Sequence, residues 1–216
     1  MRELYANLPY RVESFASSRR GRARLRGILH DTLKLVRLLY SLDIHPWLSG
    51  GTLLDCGLIP YTSDVDLAAW ADEYRPDLLE QLQLQGDFSL LRAMGRPEDS
   101  FELALVGKRS GFRFDLFFAY PTTADGINAS DFSTKRSRTR PFYLPAYDFD
   151  SRTRLRLLFP PMREGLCFGH LEIALFPVPC NAKEMVRREY GDDWLTPIHQ
   201  RNFHYVRSTF NVIRLE

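Results

Sequence analysis

The chain has little net charge, few cysteines and no long apolar run, and each shortage removes a class of protein. Lys and Arg number 29 against 27 Asp and Glu, a balance of +2, which is too small for whole-surface attraction to nucleic acid or anionic lipid. No apolar stretch reaches the ~18 residues that a membrane-crossing helix needs, because the longest are broken by Arg, Asp or Pro. Residues Met1 to Tyr10 lack the basic start and apolar core of a secretory signal. The three cysteines, Cys56, Cys167 and Cys180, are odd in number and far apart. They show no paired spacing of a zinc site or a disulfide framework, so a reducing, cytoplasmic compartment is the expected setting.

Other signals are missing too. His30, His45, His170, His199 and His204 show no metal-binding spacing such as His-Glu-x-x-His, and no serine sits in a nucleophile-elbow pattern. These absences leave little room for a zinc enzyme or a serine hydrolase. No internal repeat or low-complexity tract points to a solenoid.

What is present reads as one globular domain of 216 residues, with 44% apolar and 26% charged side chains. Lysine occurs only at Lys34, Lys108, Lys135 and Lys183, so Arg supplies nearly all the positive charge. That excess suits phosphate recognition, and a genome-wide composition bias produces it equally well. Residues 1–22 form a basic N-terminal extension. From Ala23 to Leu42 apolar residues recur at three and four (Leu25, Ile28, Leu29, Val36, Leu39, Tyr40). Arg26, His30, Asp31, Lys34 and Arg37 take the other face, as in an amphipathic helix.

A short strand from Trp47 runs into Gly50-Gly51, followed by a helical piece from Thr52 to Gly57. Strand composition returns at Ser63–Trp70, a helix at Arg75–Gln85, and strands at Phe88–Met94, Phe101–Val106 and Phe112–Tyr120. The last two are joined by a Gly107–Gly111 turn that marks a hairpin. Residues 121–154 read as a long polar loop carrying Lys135, Arg136, Arg138 and Arg140, a candidate phosphate clamp or a solvated lid. Strands at Leu155–Phe159 and Leu171–Phe176 and a helix at Ala182–Tyr190 complete the chain. The order predicts an α/β (α+β) fold, a mixed sheet flanked by helices.

Chemistry concentrates in Asp64-Val65-Asp66-Leu67. Residues two apart share a strand face, so both carboxylates point one way while Val65 and Leu67 bury on the other. Paired oxygens of this kind suit a divalent cation; two solvent-facing acids are the plainer alternative. Upstream, Gly50, Gly51 and Thr52 form a strand-to-helix turn that lets backbone N–H groups approach a phosphate. A third carboxylate, Asp115, lies within Phe112-Arg113-Phe114-Asp115-Leu116-Phe117-Phe118. Alternation places Asp115 with Arg113 and Phe117, opposite Phe112, Phe114, Leu116 and Phe118. A charge in so apolar a strand needs a cation, a function or an ion pair with a nearby Arg.

These blocks together resemble the nucleotidyltransferase fold. More closely, Trp47-Leu48-Ser49-Gly50-Gly51-Thr52-Leu53-Leu54, with Gly57-Leu58-Ile59-Pro60-Tyr61-Thr62-Ser63-Asp64-Val65-Asp66-Leu67, is similar to the LicD/fukutin family of phosphotransferases. Pro177-Val178-Pro179-Cys180-Asn181 and Tyr190-Gly191-Asp192-Asp193-Trp194 with Pro197 resemble that family's C-terminal motif, nearer the fukutin branch. The likeness spans about residues 45–198, with nothing alignable from Pro121 to Gly169.

It implies transfer of a substituted phosphate, such as phosphocholine or ribitol phosphate, from a CDP-linked donor to a hydroxyl of a glycan or glycolipid. Asp64, Asp66 and Asp115 would be the catalytic, metal-holding residues: Asp64 and Asp66 would hold Mg²⁺ or Mn²⁺ against the donor diphosphate, and Asp115 would complete a two-metal site and help activate the acceptor hydroxyl. Gly50, Gly51 and Thr52 would hold the phosphate. Family members in the secretory pathway carry a membrane anchor and some a cysteine-rich zinc site; this chain shows neither, as expected of a cytoplasmic protein or an excised domain. Three rivals remain: a nucleotidyltransferase acting on a small molecule, protein or RNA, a metal-binding glycosyltransferase, and a non-catalytic carbohydrate- or RNA-binding module. No stable nucleic-acid partner is expected. The Tyr190–Trp194 segment reads either as a ligand contact or as an aromatic corner that packs the last helix.

Overall fold

The computed structural model describes residues 19–54, 62–122, 139–148, 152–196, 202 and 209–214. Helix α1 (Arg19–Ser41) is followed by β1 (Trp47–Leu48), a short α2 (Gly50–Leu54), β2 (Asp64–Trp70) and α3 (Leu78–Gln85). Then come β3 (Phe88–Arg96), β4 (Asp99–Gly107), β5 (Arg113–Pro121), β6 (Phe142–Asp148) and β7 (Thr153–Phe159). A hairpin of β8 (Leu166–Leu171) and β9 (Ala174–Pro179), helix α4 (Ala182–Tyr190) and β10 (Val212–Arg214) close the described chain.

Eight of the strands form one mixed sheet, with β1, β2, β5, β6, β7 and β10 in lateral order and β4 pairing both β3 and β5. Strand β5 is the hub. It runs parallel to β2 along its length, pairs with β4 through Arg113 to Phe117, and meets β6 only at Tyr120 and Pro121. The expected α/β class with a mixed sheet and flanking helices holds. So does the hairpin across Gly107–Gly111, which joins β4 to β5 antiparallel.

Period two divides the sheet. Val65, Leu67 and Ala69 of β2 and Phe114, Leu116 and Phe118 of β5 point to one face, where Ile28, Leu35 and Leu39 of α1 and Leu78 and Leu82 of α3 cover them. Each Val, Leu, Ile or Phe among them contributes about 1.5–3 kcal/mol through removal from water. On the opposite face Ala68, Trp70, Trp47, Phe142 and Leu157 gather with Met185 of α4. The carboxylates of β2 occupy this second face, beside the apolar patch.

Several expectations change. Asp31 does not share the exposed face of α1. It is 2% exposed, and its Oδ2 accepts hydrogen bonds from the Ser110 backbone N–H at 2.8 Å and the Ser110 hydroxyl at 2.7 Å. Helix α1 is thereby tied to the β4–β5 turn, and Gly107 is required beneath it because a Cβ there would lie 2.3 Å from Asp31 Oδ2. Tyr40, expected on the apolar face, is 41% exposed. The helix also starts at Arg19, so residues 19–22 of the basic extension are helical and residues 1–18 lie outside the described chain.

The long loop is shorter than expected, because β6 lies within it and pairs with β7 from Phe142 to Asp148. Pro145 is accommodated in the pairing opposite Arg156. Lys135, Arg136 and Arg138 fall outside the described residues, and Arg140 is exposed. Leu171–Phe176 is a hairpin turn rather than one strand: Leu171 pairs with Ala174 and Glu172 adopts φ 55°. An apolar run conceals a two-residue turn that carries no Gly or Asn.

Cys167 and Cys180 form a disulfide that links β8 to the residue after β9. This corrects the expectation of unpaired cysteines: the hairpin supplies a proximity that linear spacing does not display. It also removes the ground for a reducing, cytoplasmic setting. Cys56 lies outside the described residues.

Two measurements test these contacts. Asp31→Ala leaves the Ser110 amide without its acceptor and is expected to cost about 1–3 kcal/mol in urea unfolding, with the circular dichroism of the native state unchanged. Reduction of Cys167–Cys180, which closes a separation of 13 residues, is expected to cost about 3 kcal/mol. A thermal midpoint unaffected by dithiothreitol refutes the second.

Candidate active site

The site is built on the parallel register of β2 and β5. Asp66 stands opposite Asp115, and Asp64 stands opposite Arg113. Side chains at matched positions on neighbouring strands share a face, so two acids far apart in sequence become lateral neighbours. Ligand oxygens of Asp64, Asp66 and Asp115 all lie within 4.8 Å of one another. The three sequence-predicted acids are therefore brought together.

The glycine turn meets them. Ser49 donates its backbone N–H to the Asp66 carbonyl at 3.1 Å, and Asp66 returns its own N–H to the Thr52 hydroxyl at 2.8 Å. The Asp66 carboxylate accepts hydrogen bonds from the backbone N–H groups of Gly51 and Thr52. Gly50 has φ 49°, and a Cβ on it would lie 2.8 Å from Asp66 Oδ2. Both the left-handed backbone and the close approach require glycine at that position. Gly50, Gly51 and Thr52 thus converge on Asp66 and hold its main chain and carboxylate.

Electrostatics follow from crowding. Burial first, then the charges of Asp115 and Glu189, push the Asp66 carboxyl well above the usual carboxylate range, against the lowering effect of the two amides. Burial raises Asp115 as well, opposed by Arg113 and Arg92. Arg113 is the local counter-ion: it contacts Asp64 Oδ2, and its Nε lies 3.1 Å from Asp115 Oδ2 without an aligned hydrogen bond. The nearby-Arg pairing for Asp115 is therefore present. It leaves Asp115 Oδ1 buried with no hydrogen-bond partner. An orphaned carboxylate oxygen beside two further carboxylates fits an oxygen-ligated divalent cation.

Two acids were missed by sequence reading. Glu189 on α4 is 4% exposed, and its charge bears on Asp66. Burial pushes its carboxyl up to about 7, with a hydrogen bond from Tyr190 acting the other way. The available signal was the helical spacing Met185, Val186, Glu189, which places the acid on the same buried face as two apolar residues. Glu102 on β4 is also buried; Arg92 pairs with it at 3.1 Å. Burial is the main reason that its carboxyl is raised.

Trp194 is 7% exposed and packs with Leu54 of α2 and Val186 of α4, with Tyr190 against the cluster. Of the two readings of this segment, the aromatic corner matches the packing. It seats α4 on the glycine turn. Along the flank of α4, Lys183, Arg187 and Arg188 line an open groove of about 860 Å³ together with Glu184 and Asp192, the last paired with Arg187.

No family model matches the chain. It is 31% identical over 166 residues to ribitol-5-phosphate transferase FKTN of Mus musculus, covering 75% of this chain and 32% of that protein. To the Homo sapiens protein of the same name it is 30% identical over 180 residues, covering 82% and 34% respectively. An uncharacterized Caenorhabditis elegans protein is 29% identical over 190 residues, covering 82% of this chain and 44% of its own length. The chain thus spans about a third of the length of the ribitol-5-phosphate transferases it matches.

The buried acid on α4 makes stability depend on pH. With its folded pKa raised from 4.5 to about 7, Glu189 contributes stability that is complete below its unfolded pKa and is lost as pH rises through about 7. In chelator-treated protein, the urea midpoint is expected to fall between pH 5 and 8, with about 3 kcal/mol of the loss due to this group. Glu189→Gln should flatten the profile, and an equally steep profile in that variant rules the account out. Asp66, shifted in the same direction, leaves a residual slope.

Proposed function

Since the chain belongs to the fukutin/LicD-like family, we propose that it is a nucleotidyltransferase-like phosphotransferase. It moves a substituted phosphate, ribitol phosphate or a close analogue, from a CDP-linked donor to a hydroxyl of a glycan or glycolipid. The observation that carries this reading is the β2–β5 register, which gathers three carboxylates within 4.8 Å beside the glycine turn.

In this reading Asp64, Asp66 and Asp115 hold Mg²⁺ or Mn²⁺. The ion, when bound, supplies charge neutralisation for the donor diphosphate and for the departing CMP. Gly50, Gly51 and Thr52 keep Asp66 in place, with the Gly51 and Thr52 N–H groups engaged by its carboxylate, so they act on the donor phosphate through Asp66. The acceptor oxygen attacks the distal phosphorus, the bond from that phosphorus to the bridging oxygen breaks, and CMP leaves with the bridging oxygen. Asp115 helps to activate the acceptor hydroxyl by accepting its proton.

The Cys167–Cys180 disulfide supports an oxidising compartment, where such bonds persist. Among the described residues no helix is long and apolar enough to cross a membrane.

The test uses CDP-ribitol, Mn²⁺ and a glycan acceptor. CMP is expected to appear only with metal, and Asp66→Asn should reduce the rate by at least about a hundredfold, the scale on which a charge-stabilising group contributes to a transition state. Release of pyrophosphate from a nucleoside triphosphate, with the nucleotide attached to an acceptor, overturns phosphotransfer in favour of nucleotidyl transfer.

A further inference from the structure

The three carboxylates do not face one another alone. The register sets Arg113 directly beside Asp64, and on its own strand it stands two residues before Asp115, on the same face. Its guanidinium contacts Asp64 Oδ2 and brings Nε to 3.1 Å from Asp115 Oδ2, so a single side chain grips two of the three acids. The other oxygen of Asp64 accepts a hydrogen bond from the Thr62 hydroxyl at 3.2 Å. That of Asp115 is buried without a hydrogen-bond partner.

A carboxylate cluster this compact is repulsive, and the guanidinium offsets part of the repulsion. The oxygens it engages belong to the same carboxylates that offer ligand atoms to a cation. A divalent ion seated among them would meet the guanidinium at close range, where like charges repel strongly in a partly buried setting. Arg113 is long and its side chain is 34% exposed, so it can withdraw toward solvent. Asp64 and Asp115 are held by the sheet and cannot follow.

We propose that Arg113 is a built-in counter-ion that competes with the divalent cation for Asp64 and Asp115 and so sets the metal affinity of the site. The proposal rests on the metal-holding role given above to the three acids. Arg113 keeps the cluster folded and neutralised, and metal uptake displaces it. Removing its charge therefore has two opposite effects: the chelator-treated protein becomes less stable, and the metal binds more tightly. A residue that merely positioned the carboxylates would lower both together.

The experiment is calorimetric titration of MnCl₂ into the chelator-treated full chain without donor, paired with thermal unfolding at each metal concentration. Arg113→Gln is expected to bind Mn²⁺ about tenfold more tightly than wild type, to melt lower without metal, and to gain more from its addition. Arg113→Lys keeps the charge but loses the two-pronged grip, and should fall between the two in affinity. Should the Gln variant fail to fold, the Lys variant must still exceed wild type by about threefold. Equal or weaker Mn²⁺ binding in these variants, with wild type binding normally, overturns the competition and leaves the metal site intact. Absence of Mn²⁺ binding in wild type and variants alike overturns the metal site, and the proposal with it.

Discussion

Two like-charged side chains on adjacent strands, Asp66 beside Asp115, are the constraint around which the molecule is arranged. An isolated pair of this kind drives strands apart, or takes up a proton. The opposite face of the same strands holds it in place. Val65, Leu67, Phe114, Leu116 and Phe118 are buried under α1 and α3, and their removal from water fixes a register in which the acids have no choice but to meet. A one-residue slip of either strand would turn that strand's apolar side chains to the other face, so the core enforces the proximity that the carboxylates alone would refuse.

What surrounds the pair divides into compensation and pressure. Compensation comes from the Gly51 and Thr52 amides on Asp66, from Arg113 on Asp64 and Asp115, and from Arg92, which satisfies Glu102 on the next strand. Pressure comes from burial and from Glu189, delivered by α4. The same helix also carries Met185 into the apolar patch and Val186 against Leu54 and Trp194. Its seating over the second face of the sheet thus links the packing of the aromatic corner to the charge of the site.

The cysteine pair has a similar lesson. Cys180 directly precedes Asn181, the residue before α4, and Asn181 donates to the Pro161 carbonyl at 3.0 Å. Together with the disulfide to β8, this anchors the start of the helix that brings Glu189 to Asp66. A covalent link on the hairpin therefore bears on the position of a buried acid at the other end of α4.

Local patterns in the sequence determined the helix of Ala182–Tyr190, the strands around Asp64–Trp70 and Arg113–Pro121, and the hairpin between β4 and β5. They did so because burial of one face imposes period two on strands and near-fourfold spacing on helices. The acids Asp64, Asp66 and Asp115 and the Gly50–Thr52 turn were legible for the same reason, as charge or glycine set where an apolar pattern predicts otherwise. Tertiary structure alone decided that Asp115 stands opposite Asp66, that Arg113 spans two of the acids, and that Glu189 joins them. It also decided that Asp31 is buried against Ser110 and that Cys167 bonds Cys180. Each of these depends on strand register or on contact between distant segments, and a linear sequence carries no local signal for either.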